Sequence, residues 1–175
     1  MRIIAGSHKG TRIFAPKGTD TRPTGDRVRE AAFNLIGPVD GAAVLDLFAG
    51  SGAMGLEALS RGAASAVFVE SDRDACRSIE RNLAKLGVTG AAVLCRDALQ
   101  VLSTEHRPYD LVLCDPPYDF ADDARIGPHL ERVLAPDGVL VYETAATREP
   151  ALVGLEIRTS RTYGSARLTL FEHEP

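Results

Sequence analysis

Short apolar runs that alternate with helical stretches are the feature that most constrains the fold of this chain of 175 residues. Each run is about four to six residues long, which is typical of a strand buried on both faces. A regular alternation of such strands with helices predicts a parallel sheet covered by helices. The predicted strands are residues 43–48, 66–69, 91–95, 111–114 and 139–142.

Two more predicted strands, residues 155–162 and 166–172, close the chain with a three-residue turn between them. So short a turn joins antiparallel strands, because a parallel crossover needs about a dozen residues or more. Five parallel strands followed by an antiparallel hairpin resemble the Rossmann-like α/β sheet of class I S-adenosylmethionine-dependent methyltransferases. A small N-terminal hairpin and a helix are predicted to precede this sheet.

Helical periodicity is clearest in two segments. Apolar residues recur between Val28 and Ile36 at the spacing of an amphipathic helix, which Gly37-Pro38 would end. A second apolar stripe runs from Ala75 to Leu86 and stops at Gly87. Both patterns predict helices with one face against the sheet.

Composition excludes several classes of protein. No apolar run approaches the roughly eighteen residues of a membrane helix, and the first residues lack the apolar region of a signal peptide. A cytoplasmic monomer without a membrane partner is expected. Three widely spaced cysteines and four scattered histidines suit neither disulfides nor zinc, so no metal is expected.

Charge is distributed unevenly along the chain. Residues 1–30 hold seven basic and three acidic side chains, a net charge of +4, whereas the remaining residues carry a net charge of −8. A basic segment on an acidic body is expected where one part of a protein meets phosphates and another does not. From charge alone, a solvated basic tail is the alternative.

A glycine-rich loop, residues 46–55, follows the first predicted strand. Its three glycines satisfy the pattern G-x-G-x-x-G, which by itself does not separate a nicotinamide site from other nucleotide sites. Asp46 distinguishes a nicotinamide site from an S-adenosylmethionine site. A carboxylate is unfavourable beside a pyrophosphate but favourable beside the ammonium and sulfonium of S-adenosylmethionine. The loop therefore favours the cationic cofactor.

Two further acidic residues follow predicted strands. Glu70 closes the second strand, where it is expected to accept hydrogen bonds from ribose hydroxyls. Asp97 follows the third strand and is expected to accept the adenine amino group or to cap the next helix, two roles that are compatible. The predicted cofactor-binding residues are Asp46, Ala49, Gly50, Ser51, Gly52, Glu70, Ser71, Asp97 and Ala98.

The fourth predicted strand ends in the tetrapeptide Asp115-Pro116-Pro117-Tyr118, whose four residues form the predicted catalytic set. An exocyclic amine is a poor nucleophile because its lone pair is delocalised into the base. Asp115 and the Pro116 carbonyl are expected to accept hydrogen bonds from that amine, while Tyr118 stacks on a flipped base. D-P-P-Y resembles the motif of methyltransferases that act on adenine or guanine amines. A related N-P-P-Y motif occurs in enzymes that methylate protein glutamines.

The residues Arg22-Pro23-Thr24-Gly25-Asp26-Arg27-Val28-Arg29-Glu30 resemble the N-terminal signature of the RsmD family, the 16S ribosomal RNA guanine-N2 methyltransferases. The resemblance covers essentially the whole chain. It implies methyl transfer from S-adenosylmethionine to the N2 amine of a flipped-out guanine in 16S rRNA, within the small subunit or an assembly intermediate. Adenine N6 and protein glutamine remain the alternative acceptors. One departure is Ser71, where the family often has a larger apolar residue.

Two domains with different roles are expected from this resemblance. Residues 1–40 would form a basic extension that docks RNA, and residues 41–175 the methyltransferase domain. Basic side chains of the first segment are the expected phosphate contacts, since arginine recognises phosphate and unpaired RNA well. The predicted RNA-binding residues are Arg2, Lys9, Arg12, Arg22, Arg27 and Arg29.

Overall fold

A computed structural model describes residues 1–16 and 25–175. Arg22 and most of the N-terminal signature before Asp26 lie outside these residues. The strands are β1 Ala43–Leu47, β2 Ser65–Glu70, β3 Ala91–Cys95, β4 Tyr109–Cys114, β5 Leu134–Ala145, β6 Leu155–Tyr163 and β7 Ala166–His173. The helices are α1 Asp26–Ile36, α2 Ala53–Ser60, α3 Arg73–Leu86, α4 Ala98–Thr104 and α5 Asp123–Val133.

The seven strands form one sheet in the order β3-β2-β1-β4-β5-β7-β6. β1 to β5 are parallel, whereas β7 inserts between β5 and β6 and is antiparallel to both. This confirms the predicted class I methyltransferase sheet with its C-terminal hairpin. The strand order reverses between β1 and β4, and open α/β sheets bind ligands at such a reversal, beyond the carboxyl ends of the strands.

The predicted helices at residues 28–36 and 75–86 are confirmed as α1 and α3. Both end at a glycine with positive φ, Gly37 at 89° and Gly87 at 63°. α5 was not predicted, because Gly127 and Pro128 are poor helix formers. Its apolar residues, among them Leu130, nevertheless pack into the core and stabilise the helix.

The N-terminal segment folds back on itself, as predicted, although Arg2 and Arg12 form only an isolated antiparallel bridge. Ile3 and Ile13 are buried in the same apolar cluster as the strand residue Val44. Close approach to α2 requires glycine at position 6, where an added Cβ would lie 1.8 Å from the Ser60 carbonyl oxygen. Residues 1–16 therefore share one core with the sheet.

A buried carboxylate on α2 fastens the N-terminal segment to the body. Glu57 is fully buried and accepts hydrogen bonds from the backbone N–H groups of Ile4 (2.9 Å) and Ala5 (3.0 Å). Two cations neutralise it: Arg61 at 2.9 Å and Arg29 at 3.6 Å. These contacts join the first residues of the chain, α1 and α2 around one charge.

The prediction that Arg29 binds RNA is wrong. Its side chain is fully buried, and Nη2 donates to the Arg2 carbonyl (2.6 Å) and to Asp26 Oδ1 (3.0 Å). A guanidinium enclosed in this way does not reach an RNA phosphate. Arg29 therefore holds the N-terminal segment in place instead of binding the substrate.

Replacing Arg29 with Met should lower the free energy of unfolding by about 3 kcal/mol or more, because breaking a buried ion pair leaves the other charge insufficiently compensated. Arg27 lies on the same helix but is exposed, so Arg27→Met should change that free energy by less than about 0.5 kcal/mol. Urea unfolding of both variants measures the difference. Equal stabilities would contradict the proposed role of Arg29.

Candidate active site

Three carboxylates meet at the reversal point of the sheet. Asp46 is the penultimate residue of β1, Glu70 is the last residue of β2, and Asp115 directly follows β4. Because β2 and β4 flank β1, their carboxyl ends bring these side chains to one edge. The sequence predicted this grouping, and an acidic cluster of this kind suits a cationic ligand.

Asp46 is the most deeply buried of the three, at 4% exposure. Burial raises the pKa of its carboxyl to about 8, although the Gly55 N–H donates to Oδ2 at 2.9 Å and lowers that pKa. The charges of Asp115 and Glu70 raise it further. Asp46 is therefore largely protonated at neutral pH until a positive charge arrives beside it.

The third glycine of the loop allows this burial of Asp46. A Cβ on Gly55 would lie 2.4 Å from Phe68 Cε1 and 2.9 Å from Asp46 Oδ2. Gly55 thus permits α2 to pack tightly on β2. Apart from Gly50 itself and its two chain neighbours, no atom lies within 4 Å of where a Cβ on Gly50 would be, so its outer side is open to a ligand.

Glu70 connects the glycine loop to the start of α3. Its Oε2 accepts from the Gly50 N–H and its Oε1 from the Asp72 N–H, both at 2.8 Å. Each carboxylate oxygen retains a second lone pair that a ribose hydroxyl can use. The predicted cofactor residue Ser71 is exposed beside it, between Glu70 and Asp72.

The helix-capping role predicted for Asp97 is confirmed. Its Oδ1 accepts from the Gln100 N–H at 3.0 Å and caps α4. The contact of Asp97 with adenine stays a prediction. Ala98 follows as the first residue of α4, and its side chain is buried in the core. Only the backbone of Ala98 is therefore suited to contact a cofactor.

The predicted catalytic tetrapeptide lines the same edge. Asp115 is open to solvent on one side, yet the surrounding protein desolvates its carboxyl and raises its pKa to about 6. Pro116 is buried and Pro117 is exposed. Tyr118 is 42% exposed, an unusual position for a large aromatic ring and a suitable one for stacking on a base.

Two aromatic residues that were not predicted as part of the site connect the glycine loop to the loop that holds the tetrapeptide. Phe48 follows β1 and Phe120 follows the tetrapeptide, and their rings pack edge to face with centroids 5.7 Å apart. The Phe120 N–H also donates to the Pro117 carbonyl at 2.8 Å. Phe48 has φ 56°, which is uncommon for a residue with a side chain and marks a tightly constrained loop. The contact fixes the glycine loop relative to the tetrapeptide.

The predicted RNA-binding residues in the described part of the chain are exposed, except for the buried Arg29. Lys9, Arg12 and Arg27 are exposed. Arg2 is also exposed and forms an ion pair with Asp26 at 3.3 Å.

In the described part of the chain, no three or more His, Cys, Asp or Glu side chains are grouped so as to hold a metal. The same residues include no helix long and apolar enough to cross a membrane.

The cofactor-binding residues predicted from the sequence suit S-adenosylmethionine. Asp46 offers a carboxyl group to its cationic end, Glu70 offers acceptors to its ribose, and Gly50 leaves space for the ligand beside the loop. A pyrophosphate would instead meet three carboxylates, an unfavourable arrangement.

Comparison with known proteins agrees with this geometry. A family model described as Conserved hypothetical protein 95 matches residues 1–172. "Putative rRNA methyltransferase YlbH" of Bacillus subtilis (strain 168) is 38% identical over 181 residues, covering 98% of both chains. "Ribosomal RNA small subunit methyltransferase D" of Escherichia coli (strain K12) is 44% identical over 119 residues, covering 67% of this chain and 60% of that protein.

A solved structure extends the similarity to three dimensions. "Putative methyltransferase yhhF from Escherichia coli" superimposes with a TM-score of 0.90 at 35% identity and covers 99% of this chain and 98% of its own. The similarity therefore includes the N-terminal segment as well as the sheet.

Asp46 should make the ligand-free protein less stable as pH rises. Its pKa is about 8 when folded and about 3.8 when unfolded, so its stabilising effect is complete below pH 4 and is lost progressively up to pH 8. Relative to Asp46→Asn, the wild-type free energy of unfolding should fall by up to about 1.4 kcal/mol per pH unit in this window. Urea unfolding from pH 5 to pH 8.5 measures this; parallel curves would contradict it.

Proposed function

The chain belongs to the family described as Conserved hypothetical protein 95, the RsmD family, and on this premise we propose that it methylates 16S ribosomal RNA with S-adenosylmethionine. The observation that carries the proposal is the meeting of Asp46, Glu70 and Asp115 at the reversal point of the sheet. The names of the relatives support ribosomal RNA of the small subunit as the substrate.

The proposed cofactor site uses the loop after β1 and the ends of β2 and β3. Asp46 binds the cationic methionine end, Glu70 the ribose hydroxyls, and Asp97 the adenine amino group. Ala49, Gly50, Ser51 and Gly52 contribute backbone beside the ligand, with Ser71 and Ala98 at the rim of the site. S-adenosylmethionine supplies an electrophilic methyl group when it is bound.

The proposed acceptor is the N2 amine of a guanine turned out of its helix. Asp115 and the Pro116 carbonyl accept hydrogen bonds from this amine and so aim its nitrogen at the methyl group. These hydrogen bonds strengthen as positive charge develops on the nitrogen. Pro117 fixes the backbone of the tetrapeptide, and Tyr118 stacks on the base. Transfer would form the nitrogen–methyl bond as the sulfur–methyl bond of the sulfonium breaks, with S-adenosylhomocysteine as the leaving group. The resulting methylated ammonium is acidic, so it would lose its proton to water without a strong general base.

The two parts of the chain are proposed to have different roles in binding. Residues 41–175 hold cofactor and base, whereas residues 1–40 dock the flanking RNA through the exposed cations Arg2, Lys9, Arg12 and Arg27, together with Arg22. Because Ile3 and Ile13 lie in the common core, residues 1–16 are fixed relative to the site. A base positioned by its flanking backbone then reaches Asp115 in a defined orientation.

Asp115→Ala should reduce kcat by about 10²- to 10³-fold, because it removes an acceptor that acts mainly in the transition state. S-adenosylmethionine binding and the unfolding midpoint should change little. Asp119→Ala is the matched control, since Asp119 is an exposed carboxylate in the same loop and should retain activity. Near-normal turnover of folded Asp115→Ala would refute its catalytic role.

The acceptor atom is identified by methylating small ribosomal subunits and analysing the nucleosides by mass spectrometry. N2-methylguanosine is expected. N6-methyladenosine would overturn the proposed base but not the methyltransferase chemistry, since both bases present an aromatic NH₂. Methyl transfer to protein glutamine, with none to RNA, would refute the substrate class.

A further inference from the structure

A row of cations follows the exposed face of α3. Arg73, Arg77, Arg81 and Lys85 recur every fourth residue, and all four side chains are exposed. A helix rises about 1.5 Å per residue, so the row extends for about 18 Å with about 6 Å between successive cations. Side chains at this spacing share one face of the helix. We propose that this face binds the RNA strand that flanks the methylated base.

The acidic residues of the helix leave this face positive. Asp74 and Glu80 are also exposed, and Asp74 pairs with Arg77 at 2.9 Å. That pair is largely open to solvent and contributes little, so a phosphate can compete for Arg77. Four cations against two carboxylates give the helix an excess of positive charge on a body that is otherwise acidic.

The N-terminal segment continues this surface. Buried Asn82 holds the backbone of Phe14, accepting from its N–H at 2.7 Å and donating to its carbonyl at 2.9 Å. Lys85 donates to the Arg12 carbonyl at 2.5 Å. Arg12 and Phe14 therefore lie against the far part of α3, and with its four cations they define the α3 track.

An aromatic ring within the α3 track favours RNA as the partner. Phe14 is 39% exposed, and the Arg81 guanidinium lies 4.1 Å from its ring centroid. A guanidinium that stacks on a ring still offers its other face to a base and its edge to a phosphate. An unpaired RNA strand presents both groups, whereas an acidic peptide presents only the charge.

The direction of the α3 track leads to the proposed active site. Arg73 is three residues from Glu70, at the carboxyl edge of the sheet, and Lys85 is near the other end of the helix. An RNA strand on the track would therefore reach the cofactor edge at Arg73. The inference rests on the proposed function, because it assigns the path of the substrate that Asp115 is proposed to receive.

The test compares two pairs of substitutions with the same change in charge. Arg73→Gln/Arg77→Gln alters the track without disturbing the contacts of Phe14, and Arg158→Gln/Arg161→Gln alters exposed residues on β6, at the opposite edge of the sheet. The probe is 16S RNA, and the measurement is the slope of log binding constant against log salt concentration. All the altered side chains are exposed, so unfolding midpoints should match that of the wild type.

The track variant should reduce the magnitude of the salt slope by about 1.4, since each phosphate contact on a single strand contributes about 0.7. Its KM for RNA should rise while kcat and S-adenosylmethionine affinity stay near wild type. The β6 variant should keep the wild-type slope. Equal slopes in all three proteins, or equal losses in both variants, would overturn the proposal. Wild-type activity is measured in parallel, so failure of the proposed function would be seen separately as absence of methyl transfer.

Discussion

The buried carboxyl of Asp46 is the constraint on which the site depends. Ionising a carboxyl that is only 4% exposed and has two acidic neighbours costs free energy, and this cost raises its pKa to about 8. The fold accommodates it with one backbone hydrogen bond from Gly55, at a position where a side chain would collide with Phe68. The sheet reversal, the glycine loop and α2 are thus arranged around a carboxyl group that is charged at neutral pH only when a cation lies beside it. A cationic cofactor is the ligand that this arrangement favours.

A second buried charge, Glu57, explains why residues 1–16 pack against the body of the protein. It binds the backbone of Ile4 and Ala5 and two arginines, and it lies on the helix that the glycine loop begins. The first residues of the chain are consequently fastened to the same helix that packs beside Asp46. α2 thus contacts both the N-terminal backbone, through Glu57, and the carboxyl of Asp46, through the Gly55 N–H.

Local patterns predicted much of this structure, and long-range contacts account for the rest. Strand ends and the bounds of α3 follow from periodicity and from Gly87, so Asp46, Glu70 and Asp115 could be grouped from the sequence. Arg29 could not be separated from its exposed neighbour Arg27, because its partner Glu57 is distant in sequence and only the tertiary fold brings them together. The contact of Phe48 with Phe120 likewise joins two loops that show no common pattern.

Asp46 is proposed to bind the cationic end of S-adenosylmethionine by giving up its proton. Calorimetric titration of S-adenosylmethionine at pH 7, in two buffers of different ionisation enthalpy, counts the protons exchanged on binding. The wild type should release about one proton per cofactor, because a group with pKa about 8 is mostly protonated at pH 7, and Asp46→Asn should release almost none. Binding without proton release in the wild type, or with equal release in both proteins, would contradict the account.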